Sequence, residues 1–391
     1  MHMSSSTPHL LVVTTNYAES GGGVEMHLQS LLPRLVRRGV AVTVVYLGAR
    51  RESYVEDSGV RVIPLRRRFD FRNIIALPDP RQWSALVRQL QGGRGGDLPV
   101  THLATHTRFF PLSYLGIRLA NRLGVPSIHT EHGGGFVVTT SPLVRFGSMA
   151  FDKTVGRAVL RKATVVASVS KVSREFVSEL SGVTSLPFTN GIDVSAWLPA
   201  LDETPSTDAP RLVFIGRIVA EKGWRVFLDA AASCQRNGWL GETWLIGAGM
   251  DLAAAHEYAR RLGLTGLVAP GHIPSDEVRD ALRGAVYVNP SMASEGFQLT
   301  IVEALTAGAG VATYDVGVAP EMALVPGAQI VVVDRGDSAA LIAATARLLA
   351  QPRPIPTWEQ YGAWDWDSVA DSYIRIMKGV SRAGAGSESP A

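Results

Sequence analysis

The chain has 391 residues, 46% of them hydrophobic and 19% charged, which is enough for two separately cored domains on the usual size of roughly 150 residues each. No stretch reaches the roughly 18–20 uninterrupted apolar residues of a membrane span, and the polar opening from Met1 to His9 lacks the basic-then-apolar order of a signal peptide, so a soluble, cytoplasmic protein is expected. The single cysteine, Cys234, rules out an internal disulfide framework and a cysteine-based zinc site, and reads as a buried structural thiol.

The net charge of +3 hides an asymmetry: up to Asn190 there are 23 Lys and Arg against 12 Asp and Glu, and beyond it 15 against 23, giving +11 and −8. Halves of opposite charge read as domains with separate tasks. The basic half, with Arg34, Arg37, Arg38 and Arg66-Arg67-Arg68, suits a phosphorylated substrate or peripheral contact with an anionic membrane at the inner face, or is a solvated surface. No interleaving of aromatic and basic residues, zinc finger or recognition helix points to nucleic acid.

In chain order, His9–Thr14 reads as a strand running into the glycine loop Gly21-Gly22-Gly23; Leu28, Leu31, Leu32, Leu35 and Val36 then recur at helical spacing, and Val40–Leu47 is the next strand. Pro33 is expected to kink that helix. The alternation continues through strands at Val60–Leu65, before His106, at Ser127–Thr130 and at Thr164–Ser170, with helices near Trp83–Leu90 and Tyr114–Leu123. After a polar loop at Leu201–Pro210 the pattern restarts: strand Leu212–Ile215, helix Trp224–Cys234, strand Thr243–Ile246, helix Asp251–Leu262, and so on to Val333. Strands alternating with helices imply two parallel sheets covered on both faces, whose ligands bind beyond the carboxyl ends of the strands.

Three clusters come directly after strands in the second half. Glu295 and Glu303, eight positions apart, bracket a helix start, where backbone amides suit a diphosphate and carboxylates suit hydroxyl groups. Arg217 and Lys222 lie beyond the strand ending near Gly216 and suit a leaving diphosphate without a metal. Gly247-Ala248-Gly249 is a weak glycine loop. Neither glycine loop completes Gly-x-Gly-x-x-Gly, and no acidic residue ends the strand at Leu47, which disfavours a nicotinamide dehydrogenase.

Taken with Thr130-Glu131-His132-Gly133 and Asn190-Gly191-Ile192-Asp193, these pieces resemble the retaining glycosyltransferases of the GT-B architecture and family-4 group over nearly the whole chain. The resemblance implies two Rossmann-like doubly wound domains facing across a cleft: an acceptor domain at 1–188, a nucleotide-sugar domain at 189–364, a helix at about 365–378 returning to the first domain, and a disordered tail at 379–391. By it, Arg217 and Lys222 grip the diphosphate of a UDP- or GDP-sugar, Glu295 with the amides of Gly296, Phe297 and Gln298 holds the sugar, and Glu303 takes the ribose. Leu299 and Thr300 offer amides to the phosphates, Ile273 lies against the base, and Gly216, Gly247, Gly22 or Gly23 let backbone approach the donor. His132 is implied near the anomeric carbon, with His106 and Glu25 toward the acceptor, front-face attack as the mechanism, and neither cofactor nor metal. The acceptor stays open between a lipid or polysaccharide intermediate and a small aminocyclitol or thiol. A silent sugar-nucleotide binder and a pseudo-glycosyltransferase forming a C–N bond are the alternatives.

Overall fold

The computed structural model describes residues 7–17, 22–71, 75–92, 98–136, 142–199, 209–293 and 295–385. The Gly21 position, most of the Leu201–Pro210 loop and the end of the tail fall outside these residues. Two compact units emerge: one of Met1–Asn190 with Trp366–Ala391, the other of Gly191–Asp365. Among the described residues, no helix is long and apolar enough to cross a membrane.

The first unit is built on β1 (His9–Val13), β2 (Ala41–Leu47), β3 (Tyr54–Val55), β4 (Arg61–Leu65), β5 (Arg67–Phe71), β6 (Ile75–Pro78), β7 (His102–His106), β8 (Ser127–Glu131), β9 (Val165–Ser168) and β10 (Leu186–Pro187). Eight of them form one sheet in the order β10-β9-β8-β7-β1-β2-β4-β3, parallel except where β3 meets β4, while β5 and β6 pair as a separate antiparallel hairpin. The central strands β1, β7 and β8 are buried along their whole length, although β7 (His102–His106) and β8 (Ser127–Glu131) carry polar residues at both ends. Order reverses between β1 and β7, so the crevice of this sheet opens beyond His106 and Val13.

The helix Gly23–Arg37 buries Leu28, Leu31, Leu32 and Leu35, and runs without a break through Pro33. Its basic end meets the last helix, Trp366–Ala385, where Arg38 bonds Asp367 and Asp371 at 2.8 and 2.7 Å. His102 Nε2 lies 3.0 Å from the Met377 carbonyl and Tyr373 is buried, so this helix is part of the first unit's fold. It continues well past the expected end near 378, to Ala385; the remaining tail residues are outside the described set.

The second unit carries β11 (Leu212–Ile215), β12 (Thr243–Ile246), β13 (Leu267–Gly271), β14 (Val286–Asn289), β15 (Gly310–Tyr314) and β16 (Ile330–Val333), all parallel, in the order β13-β12-β11-β14-β15-β16. That is the doubly wound order with its switch between β11 and β14. Leu212, Phe214, Trp224, Phe227, Leu245, Val286 and Val288 are its buried core, together with Cys234.

Candidate active site

Because β11 and β14 flank the switch point, the loops leaving them define the mouth of the second unit. The first carries Arg217 and Lys222, the second Glu295, and a hydrogen bond from Met292 N to the Glu221 carbonyl at 2.8 Å ties the two together. Lys222 Nζ donates to Glu295 Oε1, so two residues 73 apart in sequence form one ion pair, with both side chains about four-fifths removed from solvent.

The glycines here serve backbone approach. A Cβ on Gly247 (φ +129°) would stand 1.9 Å from the Gly216 carbonyl oxygen, and one on Gly249 would stand 2.2 Å from that of Ile218. The loops after β11 and β12 are therefore zipped backbone to backbone, with Ile218 N donating to the Ala248 carbonyl at 2.9 Å. Across the mouth, Gly223 (φ +77°) lies against the Pro290 carbonyl and Gly317 (φ +56°) against that of Phe297, with hypothetical Cβ distances of 2.1 and 2.5 Å. These contacts hold the loops at the mouth of the second unit in one arrangement.

Gln298, which stands immediately before the helix Leu299–Thr306, adopts φ +64°, and no side chain caps that helix. Its amide exchanges two hydrogen bonds with Asn289 at the end of β14, at 2.8 and 3.1 Å. The strained backbone is therefore held by a side chain anchored to the sheet, which leaves the first-turn amides of Leu299 and Thr300 at the crevice. Thr300 itself hydrogen-bonds Tyr287 at 3.0 Å.

Beside this pair lies a cavity of about 500 Å³ lined by Arg217, Glu303, Ile273, Gly216, Gly247 and Trp197, among others. Arg217 is 71% exposed and loosely paired with Glu221 at 3.5 Å. Burial lifts the Glu303 carboxyl to about 7, so near neutrality it is poised between acceptor and donor of hydrogen bonds. Lys222 and Glu295 thus form an ion pair between two loops bonded to each other, while Arg217 and Glu303, the latter within the helix Leu299–Thr306, share the wall of the cavity.

In the first unit, the strand ends bring His106 and His132 together: Nδ1 of the former is 3.1 Å from Nε2 of the latter, and His27 of the first helix packs on both rings. Burial, then the neighbouring imidazoles, hold His106 and His132 well below the usual histidine range, and burial takes His27 to about 4. All three are neutral at physiological pH. Thr107, at φ +62°, comes after His106, and among the described residues it and Gln298 are the only non-glycine residues in that conformation. Each sits at the carboxyl end of a sheet, one in each unit.

Sequence reasoning missed the network that positions His132. Arg108 donates to Glu131 Oε1 at 2.8 Å, to Asp152 Oδ2 at 3.0 Å and to the Gly135 carbonyl at 2.9 Å, while Glu131 also accepts from Gly133 N at 2.7 Å. All three charged side chains are buried. Burial pushes the Glu131 carboxyl up, but Arg108 and the bonds from its surroundings outweigh this and hold it at about 2. The backbone on both sides of His132 is thereby fastened to the sheet. Asp152 sits in a wide helical turn, Asp152–Gly156, that no motif announces. His129 joins this network through its Nε2, 3.4 Å from Glu131 Oε2, while its Nδ1 lies 2.9 Å from Thr105 Oγ1.

Glu25 is buried, and its carboxylate lies so close to Gly22 that a Cβ there would meet it at 2.3 Å; the geometry gives it a local place at the helix start. Gly23 has open space around it. The first unit also holds a cavity of about 640 Å³ beyond β2 and β4, lined by Arg50, Arg51, Arg66 and Arg67 with Asn16, Tyr17 and Gln82, and with no carboxylate in its wall among the described residues. Arg67 is fixed by Asn16 at 2.6 Å and the Leu47 carbonyl at 3.1 Å. The triplet Arg66-Arg67-Arg68 signalled basic charge, but not a concave site.

Known proteins resemble this chain in sequence and fold. Residues 21–196 match the family described as Glycosyltransferase Family 4, and residues 209–351 match Glycosyl transferases group 1. A phosphatidyl-myo-inositol mannosyltransferase of Mycobacterium leprae is 28% identical over 386 residues, covering 93% of this chain and 95% of that protein. A D-inositol 3-phosphate glycosyltransferase of Segniliparus rotundus is 24% identical over 414 residues, covering 95% and 88%. Among solved structures, sucrose-phosphate synthase from Thermosynechococcus elongatus superposes with a TM-score of 0.72 at 18% identity, over 96% of this chain and all of that one. Anabaena HepE in complex with UDP does so at 0.68 and 15%, over 95% and 100%. With two doubly wound parallel sheets, both family matches and relatives along its length, this chain belongs to the GT-B glycosyltransferases of the family-4 type and is a transferase acting with a sugar donor.

Proposed function

We propose that the enzyme moves a hexose from a UDP- or GDP-sugar, with retention of configuration, to a hydroxyl of an acceptor that carries a phosphate group. The observation that carries the donor side is the shared cavity of Arg217, Ile273 and Glu303 at the switch point: a cation for the diphosphate, an apolar wall for the base and a carboxyl for the ribose hydroxyls. Lys222 is the second cation for the diphosphate, so side chains neutralise the leaving group, and Glu295, released from its pair with Lys222, takes the sugar hydroxyls.

The reaction breaks the bond from the anomeric carbon to the diphosphate and forms one to the acceptor oxygen on the same face. The acceptor proton passes to the departing phosphate oxygen. The neutral imidazoles of His132 and His106 are assigned to the acceptor, which they contact as hydrogen-bonding groups without repelling a proton.

The phosphate on the acceptor is supported by the four-arginine cavity and by relatives named for D-inositol 3-phosphate and phosphatidyl-myo-inositol. The arginines present planar donor forks that suit a phosphate ester. Incubation of the enzyme with UDP- and GDP-hexoses and either a phosphorylated polyol or its dephosphorylated form tests this. Mass spectrometry should show a hexose added only to the phosphorylated compound, and NMR should show the anomeric configuration of the donor. Equal transfer to both would sink the acceptor assignment, and an inverted product would sink retention.

A further inference from the structure

Residues two apart in a strand share a face, and β14 presents Tyr287 and Asn289 together, both buried, at 1% and 4% exposure. Each meets a residue at the start of the helix Leu299–Thr306. The Tyr287 hydroxyl lies 3.0 Å from Thr300 Oγ1, while Asn289 Nδ2 donates to Gln298 Oε1 at 2.8 Å and Gln298 Nε2 donates back to Asn289 Oδ1 at 3.1 Å. Leu299 is thereby bracketed by two anchors set on one strand. Asn289 is itself fixed from its other side, where Nδ2 donates to Thr313 Oγ1 at 2.8 Å on the neighbouring strand β15. Just before the helix, the Phe297 carbonyl accepts from Val318 N at 2.8 Å. Gln298 holds φ +64°, a conformation that glycine adopts without strain. Glycine would make this turn but supply no anchor; glutamine bears the strain and supplies one, so its side chain has a task that the turn alone does not set.

We propose that Tyr287, Asn289 and Gln298 are positioning residues for transfer, which hold the backbone amides of Leu299 and Thr300 where negative charge grows on the leaving diphosphate. The proposal rests on the reading that seats the donor at this switch point. Amide donors fixed in advance need no reorganisation when that charge develops, and a misplacement of about 1 Å costs about 100-fold in rate. Two side-chain anchors on a buried strand supply that precision to a helix start that no side chain caps. Arg217, Ile273 and Glu303 line the cavity assigned to the nucleotide, and among the described residues the three positioning residues do not. Loss of an anchor therefore falls on kcat and spares donor KM.

The test uses the full chain and the UDP- or GDP-hexose that the wild type turns over, with release of the nucleoside diphosphate as the readout. Gln298→Gly is the decisive variant, because it suits the positive φ and removes only the anchor. It should melt at or above the wild-type temperature, yet lose about 10–100-fold in kcat with donor KM within about two-fold. Tyr287→Phe deletes one hydroxyl and keeps the ring; kcat should fall by about ten-fold with the fold retained by circular dichroism. Asn289→Ala combined with Gln298→Gly should lose no more than the stronger single variant, since both remove the same anchor. Should Asn289→Ala fail to fold, the other two variants decide. Unchanged kcat in folded Gln298→Gly or Tyr287→Phe, a loss carried by donor KM, or additive losses in the double variant overturns the proposal. Calorimetry with UDP and GDP separates this from the donor reading. Nucleotide binding with unchanged kcat sinks the positioning role alone, whereas a wild type that binds neither nucleotide sinks the donor placement and this proposal with it.

Discussion

Replacement of Glu303 by glutamine separates binding from stability. Burial lifts this carboxyl from its usual value near 4.5 to about 7, so holding it ionised costs about 3 kcal/mol. The folded chain keeps the proton to higher pH than the unfolded chain does. Its contribution is therefore fully favourable below about 4.5 and is lost as pH rises from there through about 7. Glutamine keeps the shape and removes the charge. In urea unfolding monitored by tryptophan fluorescence, Glu303→Gln should match the wild type near pH 5 and exceed it by up to about 3 kcal/mol at pH 8. The same variant should bind the preferred nucleoside diphosphate about 10–100-fold more weakly in calorimetry, the worth of one hydrogen bond to a charged group. A pH-independent stability difference, or unchanged nucleotide affinity, would refute the reasoning.

Lys222→Ala removes a diphosphate cation and leaves Glu295 without its partner; kcat should drop by about 100–1,000-fold in a donor-turnover assay, with folding retained by circular dichroism. Arg108→Met strands Glu131 and Asp152 as buried charges, and unfolding should show a loss of about 3–5 kcal/mol. Gly247→Ala places a methyl 1.9 Å from the Gly216 carbonyl at φ +129°; thermal melts should reveal a loss of about 3 kcal/mol or more, with nucleotide binding lost alongside. Arg66→Ala with Arg67→Ala should raise KM for a phosphorylated acceptor and leave KM for the donor unchanged.

Much of this was legible in the sequence because open parallel sheets put chemistry at strand ends. β11 and β12 span the residues expected for them, and Arg217, Lys222 and Glu295 stand in the segments that leave β11 and β14, with Glu303 in the helix that follows, where charged residues are conspicuous against apolar runs. Features that depend on distant pairing were not legible. Glu131 and Asp152 are separated by 23 and 44 positions from Arg108, and nothing local marks a buried triad. The β5–β6 hairpin lies in an arginine-rich stretch whose charge concealed its strands. Gln298 was expected only to offer its backbone amide to the sugar, and it takes the structure to show its side-chain amide paired with Asn289 to hold a positive φ. Gly247-Ala248-Gly249 read as a weak glycine loop with Gly247 open to the donor, yet the contacts that demand glycine at Gly247 and Gly249 are with the neighbouring loop.

The cavity beside β11 in the second unit is the proposed seat of the donor nucleotide. Calorimetric titration of UDP and GDP into the wild type and into Arg217→Ala tests that placement most directly. Saturable binding of one nucleotide, weakened at least about ten-fold in the variant, is the expected result. Failure of both nucleotides to bind, or equal binding to wild type and variant, would contradict it.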